Sequence, residues 1–391
     1  MKVLVSAYAC EAGRGSEPGV GLRVVEAAAS EHEVWVLTRA NNLDNLRRHF
    51  AARPERDRVH LVGFEVEGRA RRWKKRGGLF TLHWYYDAWQ REAARRAVAL
   101  DRQVGFDVVH HATFATYWTR TGVAAVPKPL VWGPVGGGVS PPLLLMPTLG
   151  VRGLVEDLGR MTLRPLVARW TGARSTARRA EVVFVQNPET ARRLGVGDRA
   201  VVLPNALVVF DEVFPTSTRA RGRVMAAGRL IPWKGYPLLF RAMAHLPDEF
   251  TLDLFGRGPD EGRLRRLIAR LGLESRVRLR GAVPRAQFLR ELASASVFVH
   301  PALHEEAGFV VAEAVACGVP TVVLDHGGPP VIAAHCDGVP VRAVSCSTPN
   351  RTVHMLAEAI RALARHRGDM APRPRRSFAD EILSAFRVAA S

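Results

Sequence analysis

Residues 300–330, HPALHEEAGFVVAEAVACGVPTVVLDHGGPP, join a strand end, a glycine-bearing turn, a short helix with two acids and a second glycine turn. Glu305 and Glu313 stand eight positions apart with Gly308 between them. Residues 309–317 are apolar except for Glu313, so this helix is expected to be mostly buried and its carboxylate to need a partner. A helix starting near Ala307 and rising about 1.5 Å per residue puts Glu313 roughly 9 Å along it, with Glu305 on the loop just before. Free N–H groups at that N-terminus suit an anion. A ligand with a phosphate in its middle and hydroxyls at both ends fits the spacing, one acid at each end. A capping acid plus a buried glutamate satisfied by a neighbour fits it equally well, and spacing alone leaves both readings open.

At 391 residues the chain is long enough for two domains, each with its own core. A hydrophobic fraction of 47% with frequent Gly and Pro fits an α/β enzyme better than a disordered or fibrous chain. The most apolar region, residues 126–151, is broken repeatedly by proline, which argues against a transmembrane helix. The opening MKVLVSAYAC reads as a first buried strand and not as a signal peptide, because its apolar run is short and leads into a polar loop. Cys10, Cys317, Cys336 and Cys346 show no metal-ligand spacing, so no metal site is expected and a reduced, cytoplasmic setting is the default. The formal charge of +19 invites a nucleic-acid reading, yet the charge is dispersed and Arg outnumbers Lys 51 to 5, a global bias. That bias makes each lysine more informative. A basic surface also suits phosphorylated ligands or peripheral contact with an anionic inner membrane face.

In chain order, residues 2–9 read as a strand, followed by the loop EAGRGSEPGVG and a helix over about 22–29, the opening of a doubly wound α/β domain. The loop lacks the glycine spacing of dinucleotide and phosphate-loop motifs. Residues 33–38 and 59–64 continue the strands. RARRWKKR at 69–76, followed by Trp84, Tyr85, Tyr86 and Trp89, reads either as a membrane-surface or acceptor-docking face or as a solvated helix face beside core aromatics. His110 and His111 close the next strand, at the edge where open α/β sheets bind ligands; a base or acceptor contact and a hydrogen-bonded core histidine both remain open. Gly136 to Gly138 form a flexible turn, and residues 204–222 look like a linker. A second strand–helix alternation then begins at residue 223, with GRLIPWKG at 228–235, and the tail at 372–390 reads as a final amphipathic helix.

Arg229 and Lys234 lie five apart directly after a strand, suited to neutralising a diphosphate leaving group in place of a divalent ion, although an exposed surface cation accounts for either alone. GRLIPWKG followed some seventy residues later by the acid pair Glu305 and Glu313 resembles the retaining glycosyltransferases of family 4. The likeness covers nearly the whole chain, since GSEPGVG, HEVWVLT, FDVVHHATF and VLPN fall where that family has its first loop, second strand, fourth strand and pre-linker segment.

The resemblance implies the GT-B architecture: two Rossmann-like domains facing each other across a cleft. Residues 1–207 would bind the acceptor, residues 208–371 the nucleotide-sugar, and the helix at 372–391 would pack back on the first domain. It further implies that Arg229 and Lys234 hold the donor diphosphate, that Glu313 binds the ribose hydroxyls and that Glu305 faces the transferred sugar. The amides around Gly308, Phe309 and Val310 would meet phosphate, and the loop at Gly15 and Ser16 would close over the diphosphate. No metal or other cofactor is implied. Many members carry a histidine two positions after the one matching His110, where this chain has Ala112, so either His111 supplies an imidazole that contacts acceptor or donor sugar or Thr113 takes a different role. The expected partners are a nucleotide-sugar and a hydroxyl-bearing acceptor. A nucleotide-sugar epimerase of the same fold and a basic nucleic-acid-binding protein are the competing readings.

Overall fold

The computed structural model describes residues 1–66, 79–211, 214, 218–366 and 370–391. The basic run at 69–76 lies outside the described residues. The chain forms two units, one of Met1–Gly138, Leu163–Val208 and Arg376–Ser391, the other of Val139–Thr162 and Val209–Arg375.

The first unit is built on a parallel sheet of β1 (Lys2–Ser6), β2 (Glu33–Arg39), β3 (Val59–Phe64), β4 (Val108–His111), β5 (Leu130–Val135), β6 (Val182–Val185) and β7 (Ala200–Val202). Its order is β3-β2-β1-β4-β5-β6-β7. The central strands are valine-rich runs buried on both faces, as a covered parallel sheet requires. Because the chain turns from β1 outward through β2 and β3 and then back to β4, the β1/β4 boundary is the topological switch point, where ligands bind beyond the strand ends.

The helix after β1 is Glu17–Glu31, starting five residues before the position expected. Gly19 and Gly21 therefore lie inside it, and Gly21 is there for packing: a Cβ would stand 2.1 Å from the Ala9 carbonyl oxygen. The final helix, Phe378–Ala390, buries Phe378, Ile382, Leu383 and Phe386 and packs on Glu17–Glu31 within this unit. Ser377 caps it by accepting from the Asp380 N–H at 3.4 Å.

The second unit carries β8 (Arg223–Ala227), β9 (Thr251–Phe255), β10 (Val277–Gly281), β11 (Val297–His300), β12 (Thr321–Leu324) and β14 (Val341–Val344) in the parallel order β10-β9-β8-β11-β12-β14. A short antiparallel pair, β13 (Cys336–Asp337) and β15 (Arg373–Pro374), ties down the chain end of this unit. Here the switch point lies between β8 and β11.

Two boundaries differ from the sequence reading. Residues 139–162, expected in the first domain, group with the second unit because Leu145, Met146 and Leu149 enter its core beside Val224, Leu238 and Leu239. Arg263 adds bonds of 3.1 Å to the carbonyls of both Thr148 and Leu149. The early part of the expected linker is also buried, since Ala206 to Val209 form an apolar stretch in the 3-10 helix Asn205–Asp211.

Candidate active site

The loop after β8 and the loop after β11 diverge from neighbouring strands at the switch point of the second unit. The β8 loop closes with the 3-10 turn Pro232–Lys234 and Gly235 at φ +68°. A Cβ on Gly235 would stand 1.9 Å from the Pro301 carbonyl oxygen, so only glycine lets the two loops come this close. The Leu303 N–H donates to the Trp233 carbonyl at 2.8 Å and fixes their register.

That approach delivers Lys234 to Glu305. The Lys234 ammonium donates to Glu305 Oε2, and His300 Nε2 lies 2.9 Å from the same oxygen. Since a carboxylate only accepts, the imidazole proton sits on Nε2. Burial alone would raise the Glu305 carboxyl, but the Lys234 charge and the His300 bond overcome it and hold the group well below the usual carboxylate range. Burial pushes the His300 imidazole below its ordinary value, so it stays neutral near pH 7, although Glu305 pulls it the other way. Tyr236 is driven upward by burial and then by the Glu305 charge; its hydroxyl has no hydrogen-bond partner among the described residues. Gly228 leaves room for that hydroxyl, which a Cβ would approach at 2.9 Å. Arg229, on the same loop, is exposed, and its side chain makes no hydrogen bond or ion pair among the described residues.

The acid-bearing helix is Phe309–Ala316, with Gly308 as its N-cap at φ +79°. It starts two residues later than expected, so Glu313 is about 6 Å along it and not 9 Å. Phe309 and Val310 open the helix half-buried, and their N–H groups precede the first helical bonds. Glu313 is not left alone among apolar neighbours: Arg285 Nε donates to its Oε1 at 2.8 Å. Both acids are thus satisfied by neighbours. On the other side of the loop, the Gly328 N–H donates to the Glu305 carbonyl at 3.0 Å, and a Cβ on Gly328 would meet the Glu306 carbonyl at 2.1 Å. Glu306 in turn accepts from the Val139 N–H at 3.1 Å.

In the first unit, Gly15 and Ser16 are exposed at the head of Glu17–Glu31. Ser16 has φ +62° and ψ −151°, a conformation that belongs almost wholly to glycine. Next to it, Glu17 accepts from the Phe114 N–H at 3.0 Å and from Asn205 Nδ2 at 2.8 Å, joining the loops that follow β1, β4 and β7. His111 is fully buried, with Nε2 3.1 Å from both the Tyr86 hydroxyl and the Thr113 carbonyl. Burial pushes its pKa down to about 4. The histidine expected at the acceptor is therefore a hydrogen-bonded core residue in this structure, and His110, bonded to the Gly133 carbonyl at 2.8 Å, is another.

Sequence reasoning singles out Lys234, Glu305 and Glu313 but not the two residues bonded to these acids, His300 and Arg285, nor, in the first unit, Glu17. His300 was legible only as a strand end, five positions before Glu305. Arg285 is one arginine among 51, and its pairing spans 28 residues. Glu17 sat in a loop read for its glycines.

Residues 218–377 match the family model described as glycosyl transferases group 1. That segment belongs to the glycosyl transferases group 1. A D-inositol 3-phosphate glycosyltransferase of Streptomyces bingchenggensis is 30% identical over 166 residues, covering 37% of this chain and 36% of the relative. A GDP-mannose-dependent alpha-mannosyltransferase of Mycolicibacterium smegmatis is 34% identical over 134 residues, covering 34% of each. The chain thus spans about a third of the length of the curated relatives it matches. Among solved structures, sucrose-phosphate synthase from Thermosynechococcus elongatus is similar with a TM-score of 0.56 at 17% identity, over 99% of this chain and 96% of that one. Anabaena Alr3699/HepE in complex with UDP and glucose gives 0.50 at 18% identity, over 100% and 95%. At these identities the likeness shows the fold, the two-Rossmann GT-B architecture that surrounds the group 1 segment.

Proposed function

We propose that the chain is a retaining glycosyltransferase that moves a sugar from a nucleotide-diphosphate-sugar to an acceptor hydroxyl. The observation that carries this reading is the meeting of Lys234 with Glu305 and His300, at the strand ends of β8 and β11 where an open sheet takes its ligand. Arg229 and Lys234 supply positive charge to the diphosphate as the bond to the sugar breaks and negative charge grows there. The helix N-terminus at Gly308, Phe309 and Val310 receives a phosphate oxygen. Glu313 accepts from the ribose hydroxyls while Arg285 holds its other side, and Glu305 accepts from hydroxyls of the transferred sugar. The first unit takes the acceptor. Its exposed, strained loop at Gly15 and Ser16 is assigned to ligand contact, and His111 is assigned a supporting place beneath the loop at Thr113.

The relatives bear transferase names, which leaves the epimerase and nucleic-acid readings without support. Ligand-induced stabilisation across a panel of nucleotides and nucleotide-sugars tests the donor side without knowledge of the acceptor. A nucleoside diphosphate that raises the melting temperature of the wild type and not of Lys234→Ala is the expected result. No stabilisation by any member of the panel refutes the assignment. Incubation with nucleotide-sugar alone separates the enzyme readings, since an epimerase yields an isomerised sugar and a transferase yields at most slow hydrolysis.

A further inference from the structure

The helix Gly150–Thr171 ends in the first unit, and there its outward face is the apolar one. Leu163, Leu166, Val167 and Trp170 fall at helical spacing i, i+3, i+4 and i+7, a single stripe. Trp170 is 84% exposed, and Leu163 and Leu166 are each 53% exposed, while the small Ala168 and Ala173 face inward. Arg164 lies over the Trp118 ring at 4.1 Å, and Trp118 is 6.5 Å from His83, which brings the 69%-exposed Trp84 to the same neighbourhood. The charged residues of the stretch that carries this stripe are arginines, the flanking acids being Asp157 and Glu181. Residues 158–180 contain six arginines and no Asp or Glu, and Arg169, Arg174 and Arg178 are exposed.

We propose that this face docks on an anionic lipid bilayer. A helix lying in a membrane interface presents Trp and Leu to the acyl boundary and arginines to the lipid phosphates, the two features found here on the end of Gly150–Thr171 and on the helix Ala173–Arg179 that follows it. A second copy of the chain is a poor occupant, because a self-complementary contact would set this arginine-rich, acid-free stretch against itself. The inference does not depend on the catalytic assignment, since none of these residues belongs to the candidate active site.

The test uses the full chain and sedimentation with vesicles of phosphatidylglycerol and phosphatidylcholine against vesicles of phosphatidylcholine alone. The wild type is expected to co-sediment with the anionic vesicles, less so at high salt. Leu166→Glu with Trp170→Glu should lower that partitioning by about tenfold or more at an unchanged melting temperature. Arg169→Glu with Arg174→Glu should remove the preference for anionic vesicles. Wild-type protein left in the supernatant, or a Leu166→Glu/Trp170→Glu variant that binds as well as the wild type, overturns the proposal. A wild type that dimerises through this face, with the same variant monomeric, overturns it in favour of a second copy.

Discussion

Replacing Lys234 by alanine separates what the Lys234–Glu305 pair does for the fold from what it does for a ligand. Both side chains are less than a fifth exposed, at 16% and 19%, so removal leaves a carboxylate largely shielded from water and without its cation. Breaking a buried pair from one side costs about 3–5 kcal/mol, mostly the penalty of the stranded charge. For a unit of this size each kcal/mol moves the melting temperature by roughly 2–4 °C, which gives a fall of about 6–20 °C. Glu305→Gln keeps the volume and an acceptor for His300 and Lys234, so its cost should be smaller, about 1.5–3 kcal/mol. In the double variant Lys234→Ala/Glu305→Gln the stranded charge is gone, and the loss should fall short of the sum of the singles by about 0.5–3 kcal/mol.

The pH dependence gives an independent check on sign. Glu305 is held below its ordinary value of 4.5, so in the wild type its contribution is complete above that value and is lost as pH falls below it. Without Lys234, burial raises the same carboxyl, and protonation on acidification then relieves the variant. The gap between wild type and Lys234→Ala should therefore narrow as pH falls toward 4.5. Calorimetry of the three variants across pH measures all of this. A Lys234→Ala protein that melts with the wild type at neutral pH, or a gap that widens on acidification, refutes the account of the pair.

Three further outcomes follow from the geometry. Arg285→Ala should weaken binding of a ribonucleoside diphosphate by about tenfold, with little effect on a 2′,3′-dideoxy analogue, as titration calorimetry can show; equal losses for both mean that Arg285 does not act through Glu313. Ser16→Gly should raise the melting temperature by relieving about 1–3 kcal/mol of backbone strain, whereas Gly21→Ala should lower it by a similar amount because its Cβ meets the Ala9 carbonyl at 2.1 Å. His110 and His111 are both lowered to about 4 by burial, so their neutral forms stabilise the protein above the ordinary value of 6.5 and that contribution is lost as pH falls from 6.5 to 4. The variant His110→Gln/His111→Gln should melt with a flatter dependence over that interval.

The alternation of valine-rich strands, glycine turns and apolar helices was enough to read two doubly wound units, because in parallel sheets burial on both faces imprints itself on local sequence. Lys234 stood out for a compositional reason, and Glu305 and Glu313 because acids beside an apolar helix need explaining. Which residues satisfy those acids was not legible: Lys234 reaches Glu305 across 71 positions, and no periodicity encodes a contact between two loops. The start of Glu17–Glu31 is hidden for a related reason. Glycines at 19 and 21 look like a loop when read locally, and only the packing of the helix on Ala9 in the loop after β1 shows that Gly21 is required there. Residues 139–162 lie in sequence between elements of the first unit, whereas Leu145 and Leu149 pack into the core of the second.

The same pairing bears on how the proposed donor site works before a donor arrives. An ammonium has three donors, and Lys234 gives one to Glu305. The others remain for a phosphate oxygen, so donor binding need not break the pair, and the acid stays ionised beside the incoming sugar. His300 secures this from the opposite side, because a neutral imidazole donating Nε2–H to Glu305 orients the carboxylate without adding a charge that would compete for the diphosphate. If that division of labour holds, His300→Ala should leave the affinity for a free nucleoside diphosphate near the wild-type value and lower turnover of the nucleotide-sugar. His300→Gln, which keeps a donor, should recover part of the loss. Equal damage to diphosphate affinity and turnover would instead mean that His300 serves the fold of the loop and not the orientation of Glu305.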